Sequence, residues 1–197
     1  MAAQTLLLDL DGTLWDSRPW YAAVLAQLSP ETPKNLEHRL STGTSIAKLT
    51  KECGVSNARL VSKCEACITS LQFYDGVLPT LEKLRVLGTT MGVVTNLPGW
   101  LAKPLATATG IEDYFDVFVT PRWGVPAKPN PHGTSGALQE IGQENYEQVW
   151  FVGDGEVDAK AANRADLNFA WASYGYETRK PPQTDIVLER FEEVLDL

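Results

Sequence analysis

The side chains of this sequence that are best suited to chemistry stand directly after short apolar runs or in the loops that follow them. In chain order they are Asp9, Asp11, Thr95, Asn96, Lys128, Asp154 and Asp158. Short apolar runs are typical of strands buried on both faces of a parallel sheet. The carboxyl ends of such strands meet at one edge of the sheet, so we expect these residues to converge on one crevice.

Four carboxylates in one crevice would repel one another and raise one another's pKa unless a cation lies among them. Magnesium prefers oxygen ligands and is usually held by one or two carboxylates together with a substrate phosphate. Asp9 and Asp154 are sufficient for the protein's share of such a site. The ammonium of Lys128 and the hydroxyl of Thr95 would then face an anion, which indicates a site for a phosphoryl group.

The elements that must position these residues follow an α/β pattern. Predicted strands lie at residues 5–10, 90–95, 116–120, 148–152 and 168–173, and predicted helices at residues 78–87, 133–141 and 156–164. Pro98 and Pro104 weaken the helical pattern after Asn96 because an interior proline costs a helix about 3 kcal/mol. Strands that alternate with helices predict right-handed crossovers and a Rossmann-like parallel sheet sandwiched by helices.

Residues 17–75 interrupt this alternation because they contain helical patterns only. Helices are predicted there at residues 20–28, 36–40, 45–53 and 58–73. The insert follows the first strand and returns through Asp75-Gly76 before the first crossover helix. We therefore predict two domains, an α/β core of residues 1–16 and 76–197 and a small all-helical cap of residues 17–75.

The composition is that of an ordinary globular protein and excludes several classes of function. The chain has 197 residues, of which 44% are hydrophobic and 21% charged, and its formal net charge is −8. This acidity, without any basic run, argues against a nucleic-acid or anionic-lipid partner. No apolar stretch reaches the roughly 20 residues of a membrane span, and residues 1–8 lack the basic start of a signal peptide, so we expect no membrane contact and a cytoplasmic location.

The motifs, taken in order, resemble those of the haloacid dehalogenase superfamily. The resemblance covers nearly the whole chain and is carried by Asp9-Leu10-Asp11-Gly12-Thr13, Thr95, Lys128-Pro129-Asn130-Pro131 and Gly153-Asp154 with Asp158. Three features resemble those of the phosphoglycolate-phosphatase-like branch of this superfamily. They are the segment DLDGTLWDS at residues 9–17, the helical insert, and the GIxDYFD segment at residues 110–116.

This resemblance implies a phosphatase that uses Mg²⁺ and acts on a small phosphorylated metabolite, phosphoglycolate-like or a sugar phosphate, through an aspartyl-phosphate. Asp9 would be the nucleophile, and Asp11 would be the general acid and base. The phosphate-binding residues would be Thr95, Asn96 and Lys128. The metal ligands would be Asp9, Asp11 through its backbone carbonyl, Asp154 and Asp158.

Other functions stay open. A sugar phosphomutase shares all four motifs, whereas a non-catalytic binding module would normally have lost Asp9, Lys128 or Asp154. A dehalogenase is disfavoured because such enzymes resemble this motif without its second aspartate and use no metal. The pair Cys64 and Cys67 could serve a zinc or redox protein, but no second Cys/His pair lies near enough to complete a zinc site. The sequence does not decide the substrate, nor between a monomer and a homodimer.

Two features depart from the usual family pattern. Residues 164–166 read Arg-Ala-Asp where small residues are usual, and the bulky Trp15 follows the DGTL segment. We expect neither feature to touch the chemistry. Trp15 and residues 18–21 and 42–45 are nevertheless candidates for the wall of the substrate pocket.

Overall fold

The computed structural model describes residues 5–122 and 124–197, which form eight strands and eight α-helices. The strands are β1 Thr5–Leu8, β2 Trp15–Asp16, β3 Gln72–Phe73, β4 Thr90–Val94, β5 Val117–Val119, β6 Val149–Gly153, β7 Asn168–Ala172 and β8 Ile186–Leu188. The helices are α1 Ser17–Ala26, α2 Pro33–Ser41, α3 Ile46–Glu52, α4 Asn57–Ala66, α5 Val77–Val86, α6 Gly99–Thr109, α7 His132–Glu140 and α8 Glu156–Arg164.

The main sheet contains six strands in the order β5-β4-β1-β6-β7-β8, and every neighbouring pair is parallel. All four side chains of the central strand β1 are buried, because helices cover both faces of the sheet. The chain runs from β1 to β4 on one side and later reaches β6 on the other. This reversal of strand order at β1 opens a crevice at the carboxyl ends of β1, β4 and β6.

The predicted Rossmann-like α/β fold is confirmed, with the five predicted strands at β1, β4, β5, β6 and β7. The sequence analysis missed β8, a three-residue edge strand in which Ile186 and Val187 are exposed. Helix α6 forms in spite of Pro104 because its apolar face, which includes Leu101 and Leu105, is fully buried.

The insert consists of helices α1 to α4, which lie between β2 and β3. These two short strands pair in antiparallel fashion, Trp15 opposite Phe73, and thereby bring the entry and exit of the insert together. The helix predicted to extend to residue 73 was wrong, because α4 ends at Ala66 and Phe73 belongs to β3. The apolar spacing continues past the helix because Leu71 and Phe73 still pack into the interior, the latter with its ring centroid 5.8 Å from that of Trp15.

The buried side chains of the insert are continuous with those of the sheet. A single apolar cluster contains Leu25 of α1, Leu60 of α4, Leu101 of α6 and Leu8 of β1. The four helices are therefore packed onto the α/β layers, and the division into core and cap stays a prediction. No helix within residues 5–122 and 124–197 is long and apolar enough to cross a membrane.

The close packing of the sheet can be tested at Gly92 in β4. A Cβ atom there would lie 2.5 Å from Cγ1 of Val117 and 2.8 Å from Cδ2 of Leu7. We expect Gly92→Ala to lower the free energy of unfolding in urea by about 1–3 kcal/mol, the usual cost of overpacking. Gly136, exposed in α7 with no atom within 4 Å of such a Cβ, provides the control. Gly136→Ala should instead raise stability by about 0.5–1 kcal/mol, and equal effects of the two substitutions would contradict the packing argument.

Candidate active site

A pocket of about 320 Å³ opens at the carboxyl ends of the central strands. All seven residues singled out from the sequence line it, namely Asp9, Asp11, Thr95, Asn96, Lys128, Asp154 and Asp158. They come from the ends of β1, β4 and β6, from the start of α8 and from the loop before α7. The parallel sheet thus assembles one site from residues up to about 150 positions apart in the chain.

A buried ammonium group lies at the centre of the site. Nζ of Lys128, a residue 5% exposed, donates hydrogen bonds to Oδ1 of Asp9 at 2.6 Å and to the carbonyl oxygen of Val94 at 2.7 Å. It also lies 2.7 Å from Oδ1 of Asp158, an ion pair that is not aligned as a hydrogen bond. Burial acts to lower the pKa of Lys128, but Asp158 and Asp9 together raise it above its usual value. Lys128 is therefore protonated at neutral pH.

Asp158 is 1% exposed and supports the lysine from the first turn of α8. Its Oδ2 accepts a hydrogen bond from the backbone N–H of Gly155 at 3.0 Å, while Oδ1 faces Lys128. Gly153 leaves room for this side chain, because a Cβ there would lie 2.5 Å from Cβ of Asp158. Oδ2 thus has a hydrogen-bond partner, whereas Oδ1 has only the ion pair with Lys128, so Asp158 helps to hold the lysine and its predicted role as a metal ligand stays a prediction.

The carboxylates at the ends of β1 and β6 fit a hard cation. One carboxylate oxygen from each of Asp9, Asp154 and Asp158 lies within 4.8 Å of the other two, and within the part of the chain described these are the only three His, Cys, Asp or Glu side chains placed to hold a metal ion together. Burial raises the pKa of Asp9 to about 7 and that of Asp154 to about 8, and repulsion from Asp158 adds to both. An all-oxygen set whose charges are unfavourable without a cation fits Mg²⁺.

Asp11 is held in place by two hydrogen bonds. Its Oδ1 accepts from Nε1 of Trp15 at 2.7 Å and from Oγ of Ser17 at 2.6 Å. Burial raises the pKa of Asp11, and the two hydrogen bonds act in the opposite direction. Gly12, with φ at +85°, allows the tight turn that carries the chain back beside Asp11.

The expectation that Trp15 stays away from the chemistry was wrong. Its indole lies fully buried beneath the site, and its N–H contacts the carboxylate predicted as the general acid and base. Trp15 is also absent from the pocket wall for which it was a candidate. Ser17 was missed as a functional residue, although it belongs to the segment DLDGTLWDS that carries the family resemblance.

Thr95 and Asn96 follow β4 and have different surroundings. Oγ1 of Thr95 accepts a hydrogen bond from the backbone N–H of Leu97 at 3.1 Å, so its own proton is left to donate to an anion. The side chain of Asn96 accepts from the backbone N–H of Lys128 at 2.7 Å and donates to its carbonyl oxygen at 3.0 Å. Asn96 therefore clamps the lysine loop, a contact not expected from its predicted role in phosphate binding.

A second residue that the sequence analysis missed is Tyr176, in the loop after β7. Its hydroxyl oxygen accepts hydrogen bonds from the backbone N–H groups of Ser17 at 2.7 Å and Arg18 at 3.0 Å, and its backbone N–H donates to Oδ2 of Asp154 at 2.8 Å. No sequence signal links Tyr176 to Ser17, because 159 positions separate them. Tyr176 thus connects the carboxylate after β6 to the first residues of the insert.

The insert supplies the opposite wall of the pocket. Of residues 18–21 and 42–45, those that line it are Arg18, Tyr21, Gly43, Thr44 and Ser45. Trp20 points elsewhere and donates to the carbonyl oxygen of Cys67 and to Oγ of Ser70. Cys53, Cys64 and Cys67 are free thiols outside the carboxylate cluster.

Comparison with known proteins connects this geometry to one family. The family described as haloacid dehalogenase-like hydrolase matches residues 6–172. Phosphoglycolate phosphatase from Pectobacterium atrosepticum is 31% identical to this chain and aligns over 100% of it and 92% of its own length. The phosphoglycolate phosphatase of Rhodobacter capsulatus is 29% identical over 91% of this chain and 88% of its own length.

Solved structures share the fold. CbbY from Rhodobacter sphaeroides in complex with phosphate superposes with a TM-score of 0.76 at 20% identity, over 99% of this chain and 100% of that one. A HAD phosphatase from Thermococcus onnurineus gives a TM-score of 0.76 at 22% identity, over 98% and 96% of the two chains. At these identities the likeness establishes the architecture alone.

The raised pKa values predict how metal binding should depend on pH. Without a metal, the folded protein binds protons at Asp9 and Asp154 more tightly than the unfolded chain, so its stability falls as pH rises through about 7 and 8. A divalent cation binds the ionised carboxylates and releases these protons. We therefore expect Mg²⁺ to raise Tm more at about pH 8.5 than at about pH 5.5 in a thermal-shift measurement.

Two variants sharpen this test. Asp154→Asn should reduce the gain in Tm at high pH, because one of the clustered carboxylates is lost. Glu140→Gln removes an exposed carboxylate at the end of α7 and should leave the gain unchanged. Equal gains at the two pH values in the unaltered protein would contradict the assignment of this cluster as the metal site.

Proposed function

Because this chain belongs to the haloacid dehalogenase-like hydrolase family, we propose that it is a magnesium-dependent phosphatase that hydrolyses a small phosphorylated metabolite through an aspartyl-phosphate. The observation that carries the proposal is the contact of 2.6 Å between Nζ of Lys128 and Oδ1 of Asp9, deep in a pocket that also holds Asp154 and Thr95. A carboxylate held by a cation at the bottom of a small pocket is suited to attack an anionic phosphate, because the cation offsets the charge repulsion.

The first step of the proposed reaction transfers the phosphoryl group to the protein. A carboxylate oxygen of Asp9 forms a bond to phosphorus while the bond from phosphorus to the ester oxygen breaks. Asp11 gives its proton to the departing oxygen, so an alcohol leaves. Lys128 and the hydroxyl of Thr95 stabilise the charge on the oxygens of the transferring group.

The second step returns Asp9 to its starting state. Asp11, now ionised, takes a proton from a water molecule whose oxygen attacks phosphorus. The bond between Asp9 and phosphorus breaks, and inorganic phosphate leaves. Asp11 must face the reacting oxygens in both steps, and its two hydrogen bonds, from Trp15 and Ser17, fix its orientation for this purpose.

A divalent cation is required for this chemistry at neutral pH. Mg²⁺, when bound by Asp9 and Asp154, supplies positive charge that keeps Asp9 ionised and neutralises the phosphate. Lys128 alone does not supply enough positive charge for both the nucleophile and the phosphate, because it is already paired with Asp9 and Asp158. Asp154 is oriented for its role by the backbone N–H of Tyr176.

We propose further that residues 17–75 form a cap over the α/β core of residues 1–16 and 76–197. Residues of α1 and of the segment from α2 to α3 line the pocket opposite Asp9. A volume of about 320 Å³ lies at the lower end of the roughly 300–1,000 Å³ typical of ligand pockets, which supports a metabolite substrate over a phosphoprotein. Among small metabolites, a phosphoglycolate-like ester is favoured over a sugar phosphate, because the similar proteins are named phosphoglycolate phosphatase.

The role of Asp9 can be tested with a generic aryl phosphate and the release of inorganic phosphate. We expect activity in Mg²⁺, loss of activity with a chelator, and a loss on the order of a thousandfold or more in Asp9→Asn because the nucleophile is removed. Asp113→Asn changes an exposed aspartate away from the pocket and should retain full activity. Activity that survives in Asp9→Asn would rule out the aspartyl-phosphate mechanism.

The hydrogen bond from Trp15 to Asp11 predicts a separate effect on turnover. Trp15→Phe keeps an aromatic ring but removes the donor, and we expect kcat to fall roughly tenfold with KM nearly unchanged. In the unaltered protein this hydrogen bond lowers the pKa of Asp11, so its removal should raise that pKa. The limb of the pH–rate profile that reports Asp11 should therefore shift to higher pH. Phe73→Leu disturbs the ring that packs on Trp15 and should leave that limb in place. An equal shift in both variants would assign Trp15 a packing role only.

A further inference from the structure

Two polar side chains of α1 line the pocket and are not used by the proposed reaction. Arg18 and Tyr21 are three positions apart on α1, so they lie on the same side of the helix. Asp9 and Lys128 come from the sheet on the other side of the same pocket. A substrate bound through its phosphate at Asp9 would therefore present its other end towards α1.

The guanidinium of Arg18 is fixed by stacking. Its central carbon lies 3.7 Å from the centroid of the Tyr176 ring, and the backbone N–H of Arg18 donates to the hydroxyl of the same tyrosine. Stacking uses the flat face of a guanidinium and leaves the N–H groups at its edge available. Rigid placement reduces the entropy lost when such an edge binds a ligand.

Arg18 is also the positive charge of the pocket that is not already paired with a carboxylate of the described residues. The described residues that line the pocket include two cations, Lys128 and Arg18. Lys128 is paired with Asp9 and Asp158, whereas Arg18 forms no ion pair with any carboxylate of residues 5–122 or 124–197. The pocket acid Glu177 is directed to the start of α8, where its Oε2 accepts from the backbone N–H of Glu156.

Tyr21 provides an independent observation. The residue is 2% exposed, and its hydroxyl has no hydrogen-bond partner within the part of the chain that the structure covers. A buried hydroxyl without a partner costs about 1–3 kcal/mol, so such groups are rare unless a ligand or water completes them. Burial, together with the nearby Asp11, raises the pKa of Tyr21 well above its usual value, so the hydroxyl stays protonated and can donate.

We propose that Arg18 and Tyr21 are specificity-determining residues that bind a carboxylate at the end of the substrate remote from its phosphate. The planar edge of a guanidinium matches a carboxylate with two parallel hydrogen bonds, and the hydroxyl of Tyr21 donates a third. The small pocket limits the distance between the two acidic groups, so the pair fits the short phosphoglycolate-like ester that the proposed function already favours, and the two residues are what this inference adds. This inference rests on the proposed phosphatase function and adds the groups that select among phosphate esters.

Three esters with the same two-carbon chain test the inference. 2-Phosphoglycolate ends in a carboxylate, 2-hydroxyethyl phosphate in a neutral hydroxyl and O-phosphoethanolamine in an ammonium group. We expect the purified protein with Mg²⁺ to give the highest kcat/KM on 2-phosphoglycolate and the lowest on O-phosphoethanolamine. Arg18→Met should lower kcat/KM for 2-phosphoglycolate roughly tenfold to a hundredfold and should change that for 2-hydroxyethyl phosphate by less than about threefold.

Further variants separate binding from structure. Tyr21→Phe should selectively lower kcat/KM for 2-phosphoglycolate by about fivefold to tenfold. The kcat/KM of Arg18→Lys for the same ester should lie between those of Arg18→Met and the unaltered protein. Arg59→Met removes an exposed arginine of α4 outside this pocket and should behave as the unaltered protein. The neutral ester serves as an internal control for folding, because a misfolded variant loses activity on all three substrates.

The possible failures are distinguishable. If the unaltered protein with Mg²⁺ hydrolyses none of the esters, the proposed function fails and this inference fails with it. Equal kcat/KM values on the three esters would overturn the subsite alone. An equal loss on all three in both Arg18→Lys and Tyr21→Phe would assign the pair a structural role through Tyr176 and Ser17. Ethylene glycol bisphosphate, which carries a second phosphate in place of the carboxylate, serves as a fourth probe. A higher kcat/KM on it than on 2-phosphoglycolate, removed by Arg18→Met, would overturn the assignment of a carboxylate.

Discussion

The buried ammonium of Lys128 is the group on which the geometry of the site depends. A charge removed from water is tolerated only when carboxylates and hydrogen-bond acceptors surround it, and here they come from Asp9, Asp158 and the carbonyl oxygen of Val94. These partners lie at the end of β1, in the first turn of α8 and at the end of β4. The lysine can therefore be satisfied only when the two strands and the helix that follows β6 are in their native arrangement.

The same packing crowds carboxylates that fit a cation in the proposed chemistry. Asp9 and Asp154 are crowded into a space where one ammonium does not balance their charge, and burial raises the pKa of both. In the proposed reaction a divalent cation would relieve this repulsion, and an anionic substrate would complete the balance of charge. In the proposed reaction, binding of metal and phosphate would offset the energetic cost of assembling the site, which connects the packing of the sheet to the proposed chemistry.

The start of the insert is tied directly to the reacting groups. Asp11 is held by Trp15 and Ser17 at the junction between β2 and α1, and Tyr176 binds the backbone of the same junction. The next residue, Arg18, stacks on Tyr176. One short segment therefore orients the proposed general acid and also places the proposed carboxylate-binding group, and Tyr176 contacts both Ser17 and Arg18 of this segment.

The sequence by itself determined the parallel sheet, because strands buried on both faces appear as continuous apolar runs, and it located the polar residues at their ends. It missed β8, whose three residues are mostly exposed, and it extended α4 because the buried Leu71 continues the helical spacing of Leu60 and Cys64. Only the tertiary structure decided the partners of Trp15, Asn96 and Tyr176. Asn96 and Tyr176 bind segments distant in the chain, and the contact of Trp15 with the nearby Asp11 depends on the direction of each side chain. Neither property leaves a periodic signal in the sequence.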